Sequence, residues 1–406
     1  MKVVHINTST IAGGAAKACY RLHTALMACG INSSVVTVND TNNKFNVVKY
    51  RTSVIQKFKN NITFLVEAIA VKLLVKSNSV PFSFGVAGVD ISSVDAIKKA
   101  DVLHIHWVNN GMLSISSVLK LCAMGKKMVW TFHDSWAATG GCHVKAGCTN
   151  YLAQCTSCPV INYTFLNNIP PYLFTQKLQL FTHPIHIITP SQWLMAEIKK
   201  SLITANNHSQ NIPNTLPIEV FAPQPITRNT TFNILLGYMK INASGHKGLG
   251  YAVDAIRLFI TNNPSVKVQI AVFGGGAADV TSINLPHVTA LGFVSDEAQM
   301  ATIYNNANVY IAPYLEDNFP NTVLEALSCG TPVVAFDAGG VPQLVQHQLN
   351  GYLAASKDVN GLAQGIQWVH NYPNYTLLRN TARNYVLANF NPATIAQRHV
   401  EYYQSI

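Results

Sequence analysis

The sequence predicts an α/β protein made of two Rossmann-like, doubly wound parallel-sheet domains facing across a cleft. Three observations carry that prediction. Short, almost continuous apolar runs alternate with helical stretches, the pattern of strands covered on both faces by crossover helices. These runs fall into two series, each long enough for one doubly wound domain. Between the series lies Pro213–Thr231, with four prolines and few large apolar side chains. A length of 406 residues fits two or three domains with ample core.

Taken in order, residues 1–212 form the first predicted domain. Lys2–Asn7 reads as a strand, Gly13-Gly14 as a tight turn, and Ala15–Cys29 as a helix stopped by Gly30. Strands follow at Ser34–Val38, Val102–Trp107, Met128–His133 and His186–Thr189. Residues 213–231 are the expected linker. The second domain, 232–390, has strands expected at Phe232–Tyr238, Val266–Phe273, Val288–Val294, Val309–Tyr314 and Pro332–Phe336. Residues 391–406 are expected to form a helix packing back on the first domain.

Hydrophobic residues make up 49% of the chain, which excludes a disordered one. Only 11% of residues are charged, so their placement is informative. Residues 1–200 hold 19 basic and 7 acidic side chains, and residues 201–406 hold 9 and 11. A basic half can meet nucleic acid, an anionic membrane or an anionic substrate. The excess is mostly lysine without interleaved arginines and aromatics, which argues against nucleic acid. Arg51–Lys76 carries five basic residues and one acid among many apolar ones. It reads either as an interfacial helix for anionic lipid or as a surface helix with a solvated basic face. The start of the chain lacks the long apolar run of a signal peptide, and Ile62–Val75 is broken by Glu67 and Lys72. A cytoplasmic protein, peripheral to the inner membrane face if it meets lipid, is the expectation.

Four of the eight cysteines, Cys142, Cys148, Cys155 and Cys158, lie in one loop with spacing C-x5-C-x6-C-x2-C. In a reducing compartment that set suits a structural zinc, with scattered thiols as the alternative. Three histidines, His104, His106 and His133, end strands, where ligands of open α/β sheets sit. His104 and His106 are expected to alternate across their strand, leaving one of them structural.

The most specific stretch is APYLEDNFPNTVLEALSCGTPVVAFDAGG, residues 312–340. A helix opening near Pro320-Asn321-Thr322 presents backbone N–H groups that bind anions, bracketed by Asp317 and Glu325. This stretch resembles the acid-x7-acid signature of family-4 retaining glycosyltransferases of the GT-B fold. The resemblance implies that Asp317 faces the donor sugar and that Glu325 holds the ribose hydroxyls. The segment Asn318, Phe319, Pro320, Asn321 and Thr322 would then grip the distal phosphate and sugar through its backbone amides, Pro320 having no N–H to give. Lys247, in GYMKINASGHKG, resembles the family's diphosphate-binding lysine. The family's preceding arginine has no counterpart, and Lys240 or His246 stands nearest. The loop with Gly275 would flank the nucleotide base, and Gly13 and Gly14 would lie near the donor diphosphate. His133 matches the family histidine beside the donor sugar, with His106 and Asp134 on the acceptor side. PFSFGVAGVDIS, DVLHIHWVNNGMLSI and VWTFHDSWAATGGCH resemble the colanic acid, exopolysaccharide subgroup. By this resemblance the chain transfers a hexose from a nucleotide sugar (UDP or GDP type) to a saccharide or lipid-linked acceptor, with retention and without a catalytic cofactor. An epimerase or phosphorylase on the same fold, and a non-catalytic polyanion binder, are the alternatives.

Overall fold

The computed structural model describes residues 1–10, 13–38, 46–50, 53–77, 79–163, 166–225, 230–238, 247–274 and 283–406. The chain divides into two units, Met1–Thr215 with Pro392–Ile406, and Leu216–Asn391.

In the first unit seven parallel strands are β1 (Lys2–Ile6), β2 (Asn32–Thr37), β3 (Val47–Lys49), β4 (Val102–Ile105), β5 (Lys127–Thr131), β6 (Ile185–Thr189) and β7 (Ser209–Asn211), in the order β3-β2-β1-β4-β5-β6-β7. The order reverses beside β1, so the loops after β1, β4 and β5 surround a switch point. Period-two alternation splits the core. Val4 and Ile6 join one cluster, while Val3 joins Leu22 and Leu26 of helix α1 (Gly14–Ala28) and Tyr403 of the C-terminal helix Pro392–Ser405. That second face also holds the histidines.

Helix α2 (Val54–Leu74) opens on a capping box: the Ser53 hydroxyl accepts from the Gln56 amide, and the Gln56 side chain accepts from that of Ser53. Its polarity is inverted. Asn60 and Glu67 are its buried residues, while Val54, Ile55, Phe58, Leu65 and Leu73 are exposed. One Glu67 oxygen accepts the amides of Phe84 (2.6 Å) and Gly85 (3.3 Å), which fastens the helix to the unit by its polar side. Among the described residues no helix is long and apolar enough to cross a membrane.

The second unit has six parallel strands, β8 (Thr231–Gly237), β9 (Lys267–Phe273), β10 (Val288–Gly292), β11 (Val309–Ala312), β12 (Val333–Phe336) and β13 (Gly351–Ala354), ordered β10-β9-β8-β11-β12-β13. Its switch point falls between β8 and β11. Leu216, Ile218 and Phe221 are buried in this unit's core, so the first part of the proline-rich stretch is packed structure rather than a free tether. Prolines stop that stretch from pairing in a sheet, but its apolar side chains still find the core.

Candidate functional site

In the second unit the loops after β8 and β11 meet. Gly248, in the left-handed region (φ 69°), caps the helix Leu249–Asn262, and any Cβ there would collide with the Pro313 carbonyl. That close approach sets Lys247 beside Asp317: Nζ lies 2.6 Å from Oδ2 and 4.4 Å above the Tyr314 ring. Burial alone would lower the Lys247 pKa; Asp317 and the Tyr314 hydroxyl outweigh it and raise the value, so the ammonium stays charged. Gly339 (φ 61°) holds Asp317 from behind. A Cβ there would strike the Asp317 carbonyl, which accepts the Gly340 amide at 2.9 Å. The pair is partly open to solvent, with side chains 41% and 19% exposed, and such a pair adds at most about 1 kcal/mol to stability.

The helix Asn321–Ser328 begins after Pro320 with no side-chain cap and no acid in its first turn. No carboxylate of its own first turn therefore offsets the N-terminal dipole. Glu325 is 2% exposed, and its Oε2 accepts the Tyr304 hydroxyl at 3.0 Å. The two acids thus differ: Asp317 meets the lysine, and Glu325 lies within the packed helix. Thr322 meets the Tyr314 hydroxyl at 3.0 Å, which meets that of Tyr310 at 2.8 Å. Phe319 packs on Phe390, and Asn318 is buried. The tyrosines were not legible beforehand; no spacing marks a buried hydroxyl chain. Gly275, Lys240 and His246 lie outside the described residues.

In the first unit Gly13 (φ 91°) precedes α1, which Gly14 opens without a side-chain cap. The expected alternation of His104 and His106 is corrected by the structure. Two residues apart, they share a face, and their rings lie 4.2 Å apart. His104 is engaged by Tyr403 and Thr131, each at 2.7 Å. His106 Nδ1 is 3.0 Å from His133 Nε2, and His106 Nε2 is 2.9 Å from His5 Nδ1. Burial lowers the His133 pKa to about 4, despite Asp134, and holds His5, His104 and His106 well below the usual value. His106, Thr131, His133, Asn214 and His399 line a small cavity.

Asp134 works as a clamp. Oδ2 accepts from Trp107 Nε1 (3.0 Å) and meets His143 Nδ1 (2.6 Å), while Oδ1 accepts the Trp136 amide (2.8 Å). Burial pushes its pKa up, but His143 and these donors bring it net downward. His143, beside Cys142, also bonds Ser83, so both its nitrogens are engaged.

None of the four loop cysteines is in a disulfide. A hydrogen bond from Cys142, helped by the Val160 and Ile161 amides, draws Cys158 down to about 6 against burial. Burial raises Cys155 to about 11, though its sulfur accepts the Gly140 amide at 3.1 Å. Lys177, fully buried, donates to the carbonyls of Trp136 (2.6 Å) and Thr139 (3.0 Å). Burial brings it to about 7, with Cys155 and Cys142 pulling the other way. Among the described residues the trio of potential ligand atoms within 4.8 Å of one another is that of His5, Cys19 and His106, not the loop cysteines.

Residues 12–219 match the family described as Glycosyltransferase Family 4, and residues 234–371 match Glycosyl transferases group 1. WcaC of Escherichia coli K12, described as a colanic acid biosynthesis glycosyl transferase, is 27% identical over 285 residues, 65% of this chain and 66% of that protein. The amylovoran biosynthesis glycosyltransferase AmsK of Erwinia amylovora is 27% identical over 127 residues, 29% of this chain and 31% of its own. The chain thus spans less than two thirds of the length of these curated relatives. Among solved structures, sucrose-phosphate synthase from Thermosynechococcus elongatus superposes with TM-score 0.68 at 18% identity, covering 100% of this chain and 98% of that one. Anabaena HepE, solved with UDP and glucose, gives 0.62 at 16% identity, with 100% of both chains covered. These likenesses show the GT-B fold.

Proposed function

The chain belongs to glycosyltransferase family 4, and we propose that it transfers a hexose from a nucleotide sugar to a saccharide acceptor, with retention, in the synthesis of a cell-surface polysaccharide. The observation that carries this reading is the Lys247–Asp317 pair beside the uncapped helix start at Asn321. A nucleoside diphosphate would replace the Asp317 carboxylate on the ammonium, and the helix start would meet its phosphates. Charge grows on the diphosphate as the sugar leaves, so a fixed cation there lowers the barrier. The bond from the anomeric carbon to phosphate breaks, the acceptor oxygen bonds on the same face, and its proton ends on the departing phosphate. No protein nucleophile enters. WcaC and AmsK, described as acting in colanic acid and amylovoran biosynthesis, support the polymer class.

The test is a thermal-shift series with UDP, GDP, ADP and their sugars, since a ligand of the folded state raises its stability. Product NMR with the stabilising donor and a saccharide acceptor follows. Retained configuration is expected. An inverted product, or an isomerised sugar without acceptor, overturns the reading.

Cys142, Cys148, Cys155 and Cys158 would hold a structural zinc. Amide N–H groups aimed at Cys155 and Cys158 favour thiolates, and the buried Lys177 supplies a counter-charge for a tetrathiolate. The metal would fasten the loop around Trp136 and Asp134, without touching substrate.

Helix α2 would rest on an anionic membrane. Its apolar side faces outward beside the exposed Lys57, Lys59 and Lys72, the arrangement of an interfacial helix, and a lipid-linked acceptor would be reached from there.

A further inference from the structure

We propose that His5 and His106 are positioning residues for His133, fixing its proton on Nδ1 through a one-way line of imidazole hydrogen bonds. The inference rests on the reading that His133 meets the sugar substrates. Its basis is the geometry His5 Nδ1···His106 Nε2 at 2.9 Å and His106 Nδ1···His133 Nε2 at 3.0 Å, in a face of the first unit where His5 and His106 are fully packed.

Each neutral imidazole has one N–H and one lone pair. Three rings joined in this way therefore have only two consistent arrangements. In one, His5 donates to His106, His106 donates to His133, and His133 carries its proton on Nδ1. In the other every bond is reversed, and His5 Nε2 carries a proton. His5 Nε2 is buried and has no hydrogen-bond partner. The reversed arrangement would therefore strand an N–H in the core, and orphaned buried N–H groups are rare. The forward arrangement leaves only a lone pair there, and an under-satisfied buried acceptor is the lesser cost. That difference selects the forward direction.

A tautomer fixed on Nδ1–H makes His133 a hydrogen-bond donor to a hydroxyl or ring oxygen, and spends its Nε2 lone pair on His106. It is then an orienting group rather than a general base. His104 stands outside the line, because both of its nitrogens are committed to Tyr403 and Thr131. His5, Cys19 and His106 do not make a metal trio in this arrangement, since the one lone pair of His106, on Nε2, already accepts from His5.

The test is long-range ¹H–¹⁵N correlation on the full chain labelled with ¹⁵N-histidine at neutral pH, followed by kinetics. His133 is expected as the Nδ1–H tautomer. His106→Phe should let both tautomers appear and lower kcat about ten- to a hundredfold with KM for the donor little changed, as when a catalytic histidine loses its orienting partner. His106→Asn keeps an amide at the Nδ1 position and should restore the tautomer and most of kcat. His133 found as Nε2–H, a tautomer unmoved by His106→Phe, or metal bound at His5, Cys19 and His106 in the purified protein would each overturn the proposal. The tautomer is read without turnover, so a failed transferase assay sinks the function and leaves this inference to be decided separately.

Discussion

In the second unit the acidic and basic side chains of the site come from a contiguous stretch and one nearby loop. Lys247 faces Asp317 in partial contact with solvent, above an uncapped helix start. In the first unit the corresponding groups come from strands about a hundred residues apart, are buried, and are neutral: His5, His104 and His106 are all held far below their usual pKa by burial. One unit is built to meet an anion with charge. The other is built to aim hydrogen bonds whose direction the packing decides. The first arrangement adds little to the fold's stability; the second is tied to it and to pH.

The largest expected effect separates charge from stability. Lys247→Ala should lower transfer about 10²- to 10³-fold, the loss usual when one group stabilising developing charge is removed. Because the ion pair adds at most about 1 kcal/mol, the unfolding free energy of both Lys247→Ala and Asp317→Asn should move by less than that. Initial rates and urea unfolding on the same preparations decide it. Unchanged turnover in the folded Lys247→Ala protein would end the assignment of this lysine to the leaving group.

The next prediction concerns the neutral unit. Burial holds His133 and His399 at about 4, while the unfolded chain titrates near 6.5. Below 6.5 the unfolded state therefore binds more protons, so stability is fully present above that pH and is lost as pH falls toward 4. Each such histidine contributes a slope of about 1.4 kcal/mol per pH unit, so two give about 3. Trp107, Trp130, Trp136 and Trp193 lie in the first unit and Trp368 in the second, so fluorescence of a Trp368→Phe protein reports the first unit alone. A flat urea midpoint between pH 7.5 and 5.5 would show that these histidines titrate normally.

The same contrast explains what could be read from sequence. The stretch 312–340 was legible because its chemistry lies within one loop and one helix, where spacing maps directly onto geometry. The two series of apolar runs gave the parallel sheets for a similar reason, although β3, β7 and β13, of three or four residues each, are too short to stand out. The histidine line was not legible. His5 meets His106 only because β1 and β4 are neighbours in register, which pairs His5 with His104, and no local pattern records that pairing. The fate of Glu325, turned to the Tyr304 hydroxyl, depends likewise on a helix 21 residues away. The Lys177 ammonium beneath the cysteine loop was missed for the same reason, since a lone lysine in a helix reads as solvent-facing.

The cysteine loop sharpens the comparison within the first unit. If the four sulfurs hold zinc, Cys158→Ser should bring the metal content of the protein to zero and lower the unfolding free energy by about 2–4 kcal/mol, in the range of losing a structural metal or a buried network. Full stability with no metal in the untreated protein would mean that packing of the thiols around Lys177 is sufficient.

The smallest expected change in stability lies on α2, where the contrast between packed and unpacked surface is most direct. Ile55 is 68% exposed, so Ile55→Ser removes almost no core contact and should change the unfolding free energy by less than about 0.5 kcal/mol. The Glu67 anchor on the opposite side is untouched. Insertion of the apolar face into an interface would instead lose the transfer free energy of that side chain, about 1.5–3 kcal/mol, which is roughly ten- to a hundredfold in vesicle binding. Phosphatidylcholine vesicles with and without phosphatidylglycerol, at low and high salt, separate the two contributions. Lysine attraction disappears in the neutral vesicles and weakens with salt, whereas the Ile55 loss persists in both. Equal binding of wild type and Ile55→Ser would leave the outward apolar face without a lipid role.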